Sequence, residues 1–139
     1  MLNVDINPAR VNSTEKISTA PGRERILGDI YLSVIIPAYN EAERITKTLR
    51  RFQEYFSGKP FSYEIIVVLD GPRDNTREVL KNIEGTIRNL RVLERRANKG
   101  KGYTVREGML KAEGRVRLFA DADNSTDISH FDKMRPLFD

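Results

Sequence analysis

An α/β fold built on a parallel sheet, with helices layered on both of its faces, is predicted by two features of this 139-residue chain. Four short apolar runs alternate with four segments of helical period, in the order β-α-β-α-β-α-β-α. Such alternation implies right-handed crossovers and a three-layer arrangement. The polar segments Pro37–Glu41, Asp70–Asp74, Arg95–Gly102 and Asp121–Ser125 each follow a predicted strand end, so the unusual residues gather along one edge of the sheet.

The elements follow in order. Residues 1–30 have no sustained period and are interrupted by Pro8, Pro21, Gly22 and Gly28, so they read as an N-terminal arm or linker with room for a short helix. Leu32-Ser33-Val34-Ile35-Ile36 is the first strand, ended by Pro37, which cannot donate to a sheet ladder. Asn40, with Glu43 three residues on, predicts a capping box. The stripe Ala42, Ile45, Leu49, Phe52 and Phe56 predicts the helix behind it, stopped by Gly58 and Pro60.

Ile65-Ile66-Val67-Val68-Leu69 is apolar at every position, as a parallel strand buried on both faces should be. Asn75 and Glu78 repeat the cap pattern before a helix with Val79, Leu80, Ile83 and Ile87 as its stripe. Leu90-Arg91-Val92-Leu93 is the third strand. A basic loop from Arg95 to Lys101 leads to a helix through Val105, Met109 and Ala112, stopped by Gly114. Val116 to Ala120 is the fourth strand, and a last helix from about Ile128 to Arg135 presents Ile128, Phe131 and Met134. The result is a Rossmann-like sheet, whose ligands bind beyond the carboxyl ends of the strands.

Bulk properties exclude several classes. At 39% hydrophobic and 32% charged residues the composition suits one small globular domain. The absence of cysteine excludes a disulfide framework and a thiolate zinc site, and a reducing compartment is compatible. Apolar runs fall far short of the roughly 20 residues that span a bilayer. The first residues lack the basic and apolar regions of a secretory signal.

The net charge of +4 is unevenly placed. Residues 88–101 carry Arg88, Arg91, Arg95, Arg96, Lys99 and Lys101 against one acid, Glu94. Residues 121–132 carry acids and no lysine or arginine. The basic stretch is either a solvated face or a surface for phosphate or anionic lipid. Nucleic acid is disfavoured, because no aromatics interleave with the charges.

Each loop has a bland and a chemical reading. In Pro37-Ala38-Tyr39-Asn40-Glu41, a strand-to-helix turn accounts for Asn40; Tyr39 could stack on a base and Glu41 accept from a ribose hydroxyl. Asp70-Gly71 is either an Asx turn or a carboxylate that accepts the imide N–H of uracil, and Asp74 is equally a turn residue. Asn98-Lys99-Gly100-Lys101-Gly102 is either a flexible basic loop or an anion site made of glycine-exposed N–H groups, two cations and a helix N-terminus.

A dinucleotide fingerprint is disfavoured there, because Val105 stands at the third glycine. Asp121-Ala122-Asp123 is either a solvated acidic turn or a pair of carboxylates for a hard divalent cation, with Ser125 near enough to add a hydroxyl. The strand before it and the three neighbouring loops favour the cation, which in such a place holds a diphosphate. His130, the one histidine, is expected to be structural or on the surface.

Together these residues resemble the family-2 glycosyltransferases with the GT-A fold. The likeness runs through Val34-Ile35-Ile36-Pro37-Ala38-Tyr39-Asn40-Glu41, Val67-Val68-Leu69-Asp70-Gly71, Asn98-Lys99-Gly100-Lys101-Gly102 and Asp121-Ala122-Asp123. The dolichyl-phosphate β-glucosyltransferase and bacterial polyprenyl-phosphate glycosyltransferase branch is the most similar, on the lysine-glycine loop and Ala120-Asp121-Ala122-Asp123-Asn124-Ser125-Thr126.

The resemblance covers roughly residues 31–139 and implies a GT-A nucleotide-sugar-binding domain there, with UDP-glucose as leading donor. Pro37, Ala38, Tyr39, Glu41 and Asp70 would line the nucleoside, and Lys99 and Lys101 the diphosphate. Asp121 and Asp123 would be the catalytic carboxylates, holding Mg2+ or Mn2+ with Ser125. A polyprenyl phosphate at the cytoplasmic membrane face would attack with inversion, the protein being cytoplasmic or peripheral on the membrane. Leu69 stands where the family commonly has a first aspartate, which removes a second acceptor for base or ribose.

The likeness stops soon after the metal motif. Either the chain is truncated, or oligomerisation supplies the acceptor half; an exposed sheet edge favours a homo-oligomer. Two other functions stay in view: a non-catalytic module that holds UDP-sugar and metal, and a nucleotidyl- or phosphoryl-transfer enzyme using the same carboxylates.

Overall fold

The computed structural model describes residues 29–139, together with the backbone of residues 3–6, 16–20 and 23–26. Four parallel strands form the sheet that positions the loops: β4 (Leu32–Ala38), β5 (Tyr63–Asp70), β6 (Leu90–Arg95) and β7 (Val116–Phe119). They follow β1 (Asn3–Ile6), which pairs antiparallel with β7, and a separate hairpin of β2 (Lys16–Ala20) and β3 (Arg23–Ile26). The sheet order is β1-β7-β4-β5-β6. At the described positions the arm is therefore stranded where a short helix was allowed for; the remainder of that reading lies outside the described residues. Four-residue segments such as Asn3–Ile6 give no periodicity from which a strand can be read, because the partner strand decides the pairing.

Three strands run past their expected ends, while β7 stops at Phe119, one residue short of Ala120. β4 continues through Pro37 to Ala38. Ile35 O accepts from Ala120 N at 2.9 Å, so Ile35 and Pro37 face the β7 side, where pairing ends at Phe119. The missing N–H of Pro37 therefore breaks no ladder bond. Pairing with β5 goes on to Ala38 opposite Leu69.

Alternation sorts the side chains into two layers. Leu32, Val34, Ile36, Ile65, Val67 and Leu69 pack with α1 (Ile45–Ser57) and α2 (Thr76–Ile83) through Leu49, Phe52, Phe56 and Leu80. Ile35, Ile66 and Val68 face α3 (Lys101–Lys111) and Ala112. The fully buried positions of α3 are Thr104 and Gly108; of the expected stripe, Ala112 just beyond the helix is buried, Met109 is half-buried against the same cluster and Val105 is half-buried. The reason is proximity: a Cβ on Gly108 would lie 2.5 Å from Ile35 Cγ2, so only small residues fit between helix and sheet. The last helix is short, α4 (Phe131–Met134) between two 3-10 turns, with Ile128 and Phe131 buried as expected.

At the amino end of the sheet a polar cluster closes the α3 layer. Glu64 is 2% exposed. Its Oε1 accepts from Ser33 Oγ and from the Glu113 backbone N–H, both at 2.7 Å. Ser33 Oγ in turn accepts from Gly114 N at 2.7 Å. Glu64→Ala leaves a buried hydroxyl and a backbone N–H without their acceptor, an expected loss of about 2–4 kcal/mol. Glu64→Gln keeps an acceptor and should lose less than half of that. Urea denaturation midpoints of the two variants check the order.

Candidate functional site

The sheet order changes direction at β4, whose two neighbours are reached by crossovers on opposite faces. A cleft at the carboxyl ends beside such a switch point is where α/β sheets take ligands. Here that cleft measures about 460 Å³, within the usual size of a small-molecule site.

From β4 it is lined by Pro37, Ala38, Tyr39 and Glu41, and from β5 by Asp70. Asn98, Gly100 and Lys101 come from the β6–α3 loop, and Asp121, Ala122 and Asp123 from the loop after β7. Nearly every residue singled out from the sequence is brought together. Lys99 and Ser125 are the exceptions: neither lines the cleft. The Lys99 ammonium lies 4.8 Å from the centre of the Tyr103 ring. Ser125 is exposed, and its Oγ donates to Asp121 Oδ2 at 3.2 Å.

The first loop is held by the second rather than by its own cap. Asn40 adopts φ +44, and its Oδ1 accepts from Arg73 N at 2.8 Å and Asp74 N at 3.2 Å. Asp74 Oδ2 accepts from Ala42 N at 3.3 Å, and Thr76 Oγ1 from Glu41 N at 2.9 Å. The helix-type bond from Ile45 N to Glu41 O follows.

Both predicted capping boxes are thus corrected. Asn40 bridges two loops, and α2 is capped by Asp74, whose Oδ1 accepts from Thr76 N at 3.0 Å, not by Asn75. Burial pushes the Asp74 carboxyl up, but bonds from Thr76 and Ala42 outweigh it and hold it below its ordinary value. Glu41 is paired with Arg44 at 2.8 Å, while Tyr39, 38% exposed, lines the cleft.

Asp70 is 3% exposed and already satisfied from within the chain. Its Oδ1 accepts from Arg95 and from Lys99 N at 2.8 Å, and its Oδ2 from Gly100 N at 3.0 Å. The N–H groups that looked like an anion site do hold an anion, and that anion is Asp70. Burial raises its carboxyl, yet the Lys99 N–H, Arg95 and the Gly100 N–H together leave it below the ordinary aspartate value. Asn98 Nδ2 donates to Asp70 O at 3.1 Å.

Asn98 and Arg95 were missed as site residues. A signal for Arg95 existed: Arg91, Leu93 and Arg95 share one face of β6, and Arg95 sits opposite Asp70 in the register.

The fourth loop leaves β7 through Ala120 and is fixed by Thr48 Oγ1 donating to Ala122 O at 2.6 Å. Asp123 is exposed, and its Oδ1 accepts from Ser125 N at 2.9 Å. Lys101 Nζ donates to Asp121 Oδ1. Burial raises the Asp121 carboxyl, yet the group lies below its ordinary value, with the bond and charge of Lys101 among the causes that lower it.

Among the described residues there is no cluster of three or more His, Cys, Asp or Glu side chains suited to a metal. Two hard carboxylates with room beside them nevertheless fit a Mg2+-type ion, which takes one or two carboxylates plus phosphate oxygens and water.

A family model, Glycosyl transferase family 2, matches residues 33–139. A dolichyl-phosphate beta-glucosyltransferase of Drosophila melanogaster is 44% identical over 110 residues, covering 74% of this chain and 34% of that protein. One from Saccharomyces cerevisiae is 37% identical over 112 residues, covering 76% and 34%. The chain thus spans about a third of the length of these relatives.

Among solved structures, S. aureus TarS 1-349 in complex with UDP-GlcNAc superposes with TM-score 0.64 at 26% identity, covering 78% of this chain and 31% of that one. The mannosyltransferase PcManGT from Pyrobaculum calidifontis, in complex with GDP-Man and Mn2+, gives 0.59 at 26%, covering 66% and 27%. The expected Rossmann-like parallel sheet of a GT-A fold is what this chain shares with them.

Proposed function

The chain belongs to glycosyl transferase family 2, and from that premise we propose that residues 31–139 form the nucleotide-sugar-binding domain of an inverting glycosyltransferase that moves glucose from UDP-glucose to a polyprenyl or dolichyl phosphate. One observation carries the reading: a single cleft gathers Tyr39, Asp70, Lys101, Asp121 and Asp123 from four loops.

In this reading the Pro37–Tyr39 backbone and the Tyr39 ring seat the nucleoside, and Glu41 faces the ribose. Asp70 presents Oδ2, which holds one backbone N–H, to the base edge. Asp121 and Asp123 would hold Mg2+ or Mn2+. When bound, the ion offsets the charge that develops on departing UDP.

Lys101 adds a second positive charge on the same side once its ammonium leaves Asp121. The acceptor phosphate oxygen attacks the anomeric carbon as the bond to UDP breaks, and the bonding pair leaves with UDP. The nucleophile is already anionic near neutral pH, so no proton has to be removed and no strong general base is needed.

The identity of the relatives supports the lipid-phosphate acceptor. In this reading the enzyme works at the cytoplasmic membrane face, where it meets such an acceptor. Among the described residues no helix is long and apolar enough to cross a membrane.

Titration with UDP, GDP and NAD, each with and without Mn2+, tests the donor. Mn2+-dependent UDP binding at least tenfold tighter than GDP is expected, about 1.4 kcal/mol. Equal GDP binding overturns the uridine assignment. Transfer of labelled glucose to a polyprenyl phosphate then separates an enzyme from a binding module. Release of inorganic phosphate or a nucleotidyl product instead points to phosphoryl or nucleotidyl transfer.

A further inference from the structure

We propose that Arg95 is the positioning residue of the nucleotide cleft: it aims the β6–α3 wall, and Lys101 with it, without touching the ligand. This rests on the nucleotide reading of the cleft. Arg95 is not among the residues lining that cleft, and its side chain is 11% exposed. Its guanidinium nevertheless bonds to the strand end, the loop and the helix that frame the wall.

Nε donates to Ala97 O at 3.0 Å, inside the loop. Nη1 donates to Glu107 Oε1 at 3.0 Å, in the second turn of α3. Nη2 donates to Asp70 Oδ1, at the end of β5, and to Thr104 Oγ1, in the first turn of α3. The Tyr103 ring lies beside it, with 4.9 Å from Cζ to the ring centre.

One planar fork thus joins the end of a central strand, the loop and the helix start. The residues suspended between those anchors, Asn98, Gly100 and Lys101, are the ones that face the cleft. Two carboxylates, Asp70 and Glu107, converge on this single cation. Arginine suits the place because its donors are fixed in one plane. A lysine carries the charge but cannot span strand, loop and helix at once, so Arg95→Lys should keep the fold and lose the aim.

The test is Mn2+-dependent UDP affinity by calorimetry, on chains shown to be folded by thermal unfolding. Arg95→Lys is expected to weaken UDP by about tenfold. In a double-mutant cycle with Lys101→Met, the two losses should not multiply, because Arg95 acts through Lys101. A purely structural arginine would lower the unfolding temperature, leave the affinity of folded chains within twofold, and combine with Lys101→Met multiplicatively; any of these affinity results overturns the proposal.

If Arg95→Lys does not fold, Glu107→Gln, which loosens Arg95 from α3 at a part-exposed pair, takes its place. A loss of threefold or more supports the role, and unchanged affinity overturns it. Failure of the parent chain to bind UDP at all overturns the nucleotide reading itself, and this role with it. Parent binding with unaffected variants overturns the role of Arg95 alone.

Discussion

Asp123→Ala is expected to abolish the metal dependence of UDP binding. The parent chain should bind UDP at least a hundredfold more tightly with Mn2+ than with a chelator, about 2.7 kcal/mol. The variant should bind equally weakly in both conditions. Removing Asp123 leaves Asp121, which is already neutralised by Lys101 and bonded to Ser125. A single compensated carboxylate has little left to attract a divalent ion, and the ion otherwise depends on phosphate oxygens and water. Asp123 is exposed and, among the described residues, its bond is to Ser125 N, inside its own turn. The unfolding temperature should therefore move little. Calorimetry with Mn2+ and with chelator checks both halves, and a variant that keeps the parent's Mn2+ dependence removes Asp123 from the metal role.

Gly71→Ala should damage the cleft more than any other single methyl group. Gly71 has φ +58, a conformation that costs an alanine about 1–2 kcal/mol. An added Cβ would lie 2.6 Å from Arg96 O, 2.7 Å from Asn98 N and 2.8 Å from Ala97 C. All three are backbone atoms, so no side-chain rotation relieves the overlap, and the loop around Asp70 must move. Overpacking of this kind adds about 1–3 kcal/mol.

The expected result is a total near 3 kcal/mol in urea denaturation, with UDP binding lost along with the loop. Gly58→Ala is the control. Gly58 has φ −100 and nothing within 4 Å of an added Cβ, so its stability should change by less than about 1 kcal/mol. Similar behaviour of the two variants would show that the second and third loops are not packed as described.

The four parallel strands and the convergence of their loops were legible because buried strands and amphipathic helices write their period into the chain. Val67 and Leu69 had to face one helix layer, and Ile66 and Val68 the other. The cleft followed, since strand ends fall at known points along such a pattern.

What was not legible depends on partners far away in sequence. Asn40 and Asn75 carry the local signature of helix caps, yet Asp74 caps α2, Asp74 and Thr76 hold the turn that precedes α1, and Asn40 joins two loops. A local motif cannot announce that a neighbouring loop holds a better acceptor. The anion held by Lys99 N and Gly100 N was hidden for the same reason, since Asp70 lies about thirty residues earlier, separated by 29 and 30 positions. Gly108 has no side chain to mark a buried position, yet it is where α3 comes close enough to Ile35 to exclude a Cβ.

A crystal of the chain soaked with UDP and Mn2+ tests the shared cleft most directly. The expected density has the uracil between Tyr39 and Asp70, and a cation bridging the diphosphate to both Asp121 and Asp123. A uridine seated outside this cleft, or a cation that touches neither aspartate, would contradict it.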